Sequence, residues 1–155
     1  MRYNVAGAPI VAAAVVLFTT IACQPSPTST PREVLVRGAD YAFELPDTLA
    51  PGTTILRFQN TGKVAHEFGM ALLKPGITLA QVLDVVRAGG SPDSLLDGTV
   101  GILIAAPSAT TVGALLVDLL PGRTYAMFCN FQDGPDKPPH SSLGMVTSRS
   151  IPGGP

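Results

Sequence analysis

Charge is scarce in this chain. Asp, Glu, Lys and Arg make up only 14% of 155 residues, the formal net charge is −1, and no Lys/Arg-rich run occurs anywhere. A nucleic-acid partner requires a basic face to neutralise phosphates, so that class of function is excluded. Histidine is scarcer still, with only His66 and His140. Two imidazoles do not furnish a polynuclear metal centre, and no nucleophile–His–acid set for a hydrolase presents itself. Cysteine also occurs twice, at Cys23 and Cys129. The uncharged stretch at residues 9–22 is shorter than the roughly 20 residues a membrane-spanning helix needs.

What the chain has in quantity is apolar residues, 46%, together with 16 Gly and 15 Pro. The apolar share is enough for the core of one domain. The Gly and Pro residues punctuate short apolar runs, which favours an all-β chain with many turns.

Residues 1–22 read as a signal peptide, with Arg2 ahead of an apolar centre at Ala12-Ala13-Ala14-Val15-Val16-Leu17-Phe18. The segment ends Thr20-Ile21-Ala22-Cys23. A small residue before a cysteine resembles a bacterial lipobox, with Cys23 as the lipidated mature N-terminus, although Thr20 stands where Leu is usual. The plain alternative is ordinary cleavage near Ala22, leaving a free thiol, or an uncleaved anchor. Residues 23–31 then form a lipid-anchored Pro/Ser/Thr tether that spaces the domain from the membrane. Without the leader, nine basic residues face eleven acidic ones. The expected location is extracytoplasmic, at the periplasmic face or the cell surface, and Gln24 weakly favours an outer membrane where one exists. If Cys23 carries lipid, Cys129 has no disulfide partner. A lone cysteine in an oxidising compartment is either a metal ligand or an inert core residue.

Strands are expected at residues 33–37, continued by 41–44, and at 54–59, 64–73, 102–105, 110–120, 124–129 and 144–149. Between them, Leu79, Val82, Leu83 and Val86 recur at i, i+3, i+4, i+7, which predicts a helix capped by Thr78 and stopped by Gly89-Gly90. A second short helical turn follows, with Ser91 as cap and Pro92 at its first position. The helical insert thus covers about residues 78–97 and packs its apolar face on one edge or end of the sheets. Many short strands imply a β-sandwich or barrel over residues 32–151, with 152–155 as a disordered tail.

One segment gathers reactive side chains. From Cys129 to Met145 the spacing is C-x10-H-x4-M. Alternation places His66, Phe68 and Met70 on one strand face, with Glu67 and Gly69 on the other. His66 beside Phe68 suits a ligand at the rim of a core; it also suits a satisfied core histidine. Two imidazoles, a thiolate and a thioether are the ligand set of a mononuclear electron-transfer copper site. Imidazole suits both copper oxidation states, and thiolate softness suits Cu(I). Around them, Glu67 reads as a surface charge and Met70 and Met127 as core. Asp133, Asp136 and Lys137 read as solvated loop charges, and Asn60 as a turn residue.

Residues 32–151 resemble the cupredoxins, the family of plastocyanin, azurin and the copper domains of nitrite reductases. The resemblance rests on Phe58-Gln59-Asn60-Thr61-Gly62 ahead of His66, on Leu120-Pro121-Gly122-Arg123-Thr124-Tyr125 ahead of Cys129, and on His140 with Ser142-Leu143-Gly144-Met145. It implies a cupredoxin-like Greek-key β-sandwich with one type 1 copper held by His66, Cys129, His140 and Met145. It also implies an extracytoplasmic one-electron carrier that meets redox partner proteins. Cupredoxins often have a hydrogen-bonding Asn ahead of the first His, which gives Asn60 a second reading. The Cys129-to-His140 loop is longer than in the small cupredoxins and the nitrite reductases, so altered ligand angles are expected. The alternative is a cupredoxin-like domain for copper handling or protein interaction without electron transfer, and the lack of Met- or His-rich runs speaks against copper handling. An enzyme is not expected, because the oxidases and reductases of this family need further His ligands for a second copper centre.

Overall fold

The computed structural model describes residues 30–154. The expected leader, Cys23 and all but the last two residues of the tether lie outside the described residues. The domain opens with β1 (Arg32–Ala39), where Val34, Val36 and Gly38 are buried and Leu35 and Arg37 face outward. Residues 41–44 do not continue this strand. The chain reverses at Asp40-Tyr41, and β2 (Ala42–Glu44) runs back antiparallel with Glu44 opposite Arg37. Tyr41 makes the reversal with a φ of 65°. That left-handed conformation costs a non-glycine residue on the order of 1–3 kcal/mol, so the surroundings must hold it.

The remaining strands are β3 (Gly52–Asn60), β4 (His66–Leu73), β5 (Leu96–Ala105), β6 (Leu115–Leu119), β7 (Thr124–Phe128) and β8 (Val146–Ser150), with helix α1 (Leu79–Arg87) between β4 and β5. One sheet has the order β2-β1-β3-β6, in which β1 and β3 are parallel. The other, β5-β4-β7-β8, is antiparallel throughout.

The sheets face each other across one core. Val36, Leu56 and Phe58 from the first meet Phe68, Met70 and Met127 from the second. Phe58 and Phe68 stack at a centroid distance of 6.0 Å, and Phe43 meets both rings edge-on. Burying each large apolar side chain contributes about 1.5–3 kcal/mol. Gly38 is required by this packing, since a Cβ there would lie 2.8 Å from the Phe58 ring and 3.0 Å from Met145 Cε. The chain end is held as well: Ile151 is buried in the core, and its N–H donates to Arg123 O at 2.8 Å.

The helical insert forms as its spacing predicts. Thr78 and Gln81 make a reciprocal capping box, and a 3-10 turn follows at Pro92–Leu95. Val82 packs with Leu73 and Ala126 on the outer face of the second sheet, while Tyr125 and Met127 point to the inner core. Strands β4 and β7 are therefore covered on both sides. All of β4 except Leu72 is buried, so the face that carries Glu67 and Gly69 is covered too. Two strands differ in length from expectation. β5 starts early, at Leu96, because β4 supplies its hydrogen bonds and Arg123 ties Asp97 to Leu73 O. β6 starts late, because Thr111 turns its N–H and hydroxyl to Phe58 O, leaving a single bridge between Gln59 and Thr110.

Candidate metal centre

Neighbouring strands bring the first two donors to one end of the sandwich. His66 opens β4 and Cys129 directly follows β7, and these strands pair antiparallel with Gly69 opposite Phe128. Asn60 fixes the approach to His66. Its side-chain N–H donates to Val64 O at 2.7 Å and Ala105 O at 3.1 Å, while its Oδ1 accepts from Gly62 N–H at 2.8 Å. The hydrogen-bonding reading of Asn60 is therefore the one realised, and the residue is almost fully buried.

The loop after Cys129 closes on itself. His140 begins a 3-10 turn (His140–Leu143), and its N–H donates to Phe131 O at 2.8 Å. Ser141 N–H donates to Cys129 O at 2.7 Å, Met145 N–H to His140 O at 2.9 Å, and Cys129 N–H to Met145 O at 3.1 Å. These bonds accommodate the long excursion of residues 130–139 while holding its two ends together.

Three donors converge at this end. His66 Nδ1 lies 3.0 Å from His140 Nδ1, and Cys129 Sγ lies 3.4 Å from His140 Nδ1 and 3.9 Å from His66 Nδ1. All three residues are fully buried. Nitrogen and sulfur bind first-row metals at about 2.0–2.3 Å, so donors to one ion sit roughly 3–4.5 Å apart. The three separations fit one ion. Met145, also fully buried, is bound through its backbone to both Cys129 and His140. The fourth residue of the expected set is thus tied by its backbone to two of the three converging residues; Cys23 lies outside the described residues.

The electrostatics suit a cation. Burial, reinforced by the nearby His140, pushes the His66 pKa down and keeps its imidazole neutral, with a lone pair to give. Its Nε2 is buried without a hydrogen-bond partner, with Asp40 Oδ1 3.8 Å away. Burial pushes the Cys129 thiol pKa up, against the opposing effect of backbone N–H groups of Glu67 and Phe131. The Glu67 N–H lies 3.3 Å from Sγ. A bound metal ion removes such a thiol proton outright.

Sequence reasoning missed three residues here. Glu67 is not a surface charge: it is buried, and its Oε1 accepts the Asn130 N–H at 2.8 Å, next to the cysteine. Strand alternation did point Glu67 away from the donors, but nothing in sequence shows that this outer face is covered. Asp133 is not simply solvated, since its Oδ1 lies 3.0 Å from His140 Nε2. Tyr41 donates its hydroxyl to Asp133 Oδ2 at 2.7 Å and stands edge-on to both imidazoles, 5.0 Å from His140 and 6.3 Å from His66. That bond holds the Asp133 carboxyl below the usual range and raises the Tyr41 hydroxyl. No spacing rule links residues 41, 133 and 140.

No family model and no curated protein matches the sequence. Among solved structures, the chain is similar to dithionite-reduced auracyanin from the photosynthetic bacterium Roseiflexus castenholzii. The identity is 16% and the TM-score 0.50, over 79% of this chain and 98% of that one. It is similar to auracyanin B at 19% identity and a TM-score of 0.51, over 80% and 91% of the two chains. At these identities the likeness concerns the fold, and the fold is a cupredoxin-like β-sandwich.

Proposed function

We propose that this chain is a mononuclear type 1 copper protein that carries single electrons outside the cytoplasm, anchored by lipid on Cys23. The observation that carries this reading is the buried convergence of His66 Nδ1, His140 Nδ1 and Cys129 Sγ. Two imidazoles and a thiolate are the donors that serve both copper oxidation states, and Met145 would add a thioether to them. Bound copper supplies reversible one-electron chemistry. The chain's own residues hold the donors and exclude water. Asn60 sets the approach to His66, the closed loop sets His140 against Cys129, and Tyr41 covers both rings. A frame this fixed keeps the donor positions alike in both redox states.

Two features favour a carrier over the other readings. The donors are sealed from solvent, whereas delivery of copper needs an open route for the ion. The cluster also uses both histidines of the chain, which leaves none for a second metal centre. The partners are then redox proteins near the membrane surface.

The test is an optical and EPR spectrum of the purified protein after Cu(II) addition, beside Cys129→Ala. The reading requires an intense visible thiolate-to-copper band that the variant lacks, and reversible voltammetry. A colourless protein with weak copper binding independent of Cys129 would sink it, and the sandwich would then be an interaction module.

A further inference from the structure

The two imidazoles of the centre are treated differently on their outer side. His66 Nε2 has no hydrogen-bond partner. His140 Nε2 has a carboxylate, Asp133 Oδ1, at 3.0 Å. The other oxygen of that carboxylate accepts the Tyr41 hydroxyl at 2.7 Å. Tyr41 lies on the opposite sheet, at the reversal between β1 and β2, and holds a left-handed φ of 65°. Its ring meets His140 at 75° and His66 at 83°. A strained residue from one sheet thus braces an acid on the loop from the other, and the acid holds a donor of the centre.

A neutral imidazole has one N–H and one lone pair, and the partner of one nitrogen decides which is which. A carboxylate at Nε2 takes the N–H there, which leaves the lone pair on Nδ1. Nδ1 is the atom that faces Cys129 and His66. Such a carboxylate also makes the imidazole a stronger donor. We propose that Asp133, braced by Tyr41, is the positioning residue of this centre: it fixes His140 as the Nε2–H tautomer with Nδ1 free for the metal, and it tunes the donor strength of that ring.

The tautomer part of this assignment concerns the metal-free protein; the tuning part rests on the copper reading. Nitrogen-15 NMR of the histidine rings in metal-free protein tests the first. His140 is expected as a single Nε2–H tautomer, and Asp133→Ala should lose that single-tautomer signature. An unchanged His140 spectrum in Asp133→Ala overturns the assignment, whether or not copper binds. Second, copper affinity in Asp133→Ala should fall about 10–100-fold, the usual effect of removing the partner of a ligating histidine. Third, the potentials should move in opposite directions. Asp133→Ala weakens the donor and raises the potential. Tyr41→Phe keeps the ring, frees the carboxylate to draw harder on the His140 N–H, and lowers it. Shifts of the same sign in both variants mean loosened packing and overturn the tuning role. If the parent protein binds no copper but shows the Asp133-dependent tautomer, the copper reading fails and the positioning role stands.

Discussion

His66 Nδ1 and His140 Nδ1 lie 3.0 Å apart, although the two residues are 74 positions apart in sequence. Two bare lone pairs do not sit at that distance without something between them. In metal-free protein a shared proton on one nitrogen satisfies the pair. A metal ion held by both Nδ1 atoms would take the place of that proton, and the His66 proton would then sit on Nε2, 3.8 Å from Asp40 Oδ1.

Copper binding should release one proton, from Cys129, since the histidine proton stays on the ring. The buried Cys129 thiol keeps its proton above the ordinary 9.0 until a cation displaces it. Between pH 6.5 and 8 the apparent affinity should rise with pH, by about tenfold per unit for one thiol proton. Calorimetric titration in buffers of different ionisation enthalpy counts the protons directly, and a buffer-independent heat would contradict the displacement.

Stability of the metal-free protein should show the same groups. The His66 pKa is depressed below 6.5 in the folded state, so the unfolded chain binds more protons as pH falls. Stability contributed by neutral His66 is complete above pH 6.5 and declines as pH drops from 6.5 towards the folded value. Cys129 acts at the other end. Its folded pKa is raised, so its contribution is complete below pH 9.0 and declines as pH rises beyond it. Urea midpoints across this range should form a dome, and His66→Gln should flatten its acid side.

Glu67→Ala should destabilise the fold by about 0.5–1.5 kcal/mol, because the part-buried Asn130 N–H loses its acceptor on the buried Glu67. Denaturant unfolding measures this. A change within experimental error would mean that water reaches Asn130 and that β4 is less well covered than its burial indicates.

Gly62→Ala should damage the centre more than the fold. The added Cβ would stand 2.5 Å from Asp40 Oδ1 and 2.9 Å from His66 Nε2. The Asp40 carboxylate is partly exposed and can swing away, but the His66 ring is fully buried. The expected outcome is a shifted visible spectrum with a modest loss of melting temperature. Thr78→Ala is the counterpart on α1: loss of the cap should cost about 1 kcal/mol and leave the spectrum unchanged.

Cys23→Ser should move the protein from the membrane fraction to the soluble fraction, and metabolic labelling with palmitate should mark the parent chain alone. Retention of the variant in the membrane would point to an uncleaved leader instead.

The sandwich was legible because its cues are local. Alternation marked most strands, Gly and Pro marked the turns, and the 3.6 period of Leu79, Val82, Leu83 and Val86 marked the helix. The three converging side chains were legible because histidine is so rare and because Cys129 and His140 share one loop. What stayed hidden depends on contacts between distant segments. Glu67 looked solvent-facing because nothing around it announces that its face is covered. Asp133 looked like a loop charge because its partners, Tyr41 and His140, meet only after the sheets close. Tyr41 itself was placed within a continued strand, since only the folded chain reveals the left-handed turn that brings its ring over the histidines.

The self-closed loop has a consequence for how the molecule would acquire a copper ion. Cys129, His140 and Met145 are neighbours in sequence, so an unfolded chain already carries most of the chelator. Metal bound to that segment before folding reduces the stabilisation gained on folding, because linkage counts only the difference between the two states. The increment specific to the native state comes from His66, delivered by a separate strand. Were the chain to take up copper before folding, the loop would collect the ion, and the pairing of β4 with β7 would bring His66 to it.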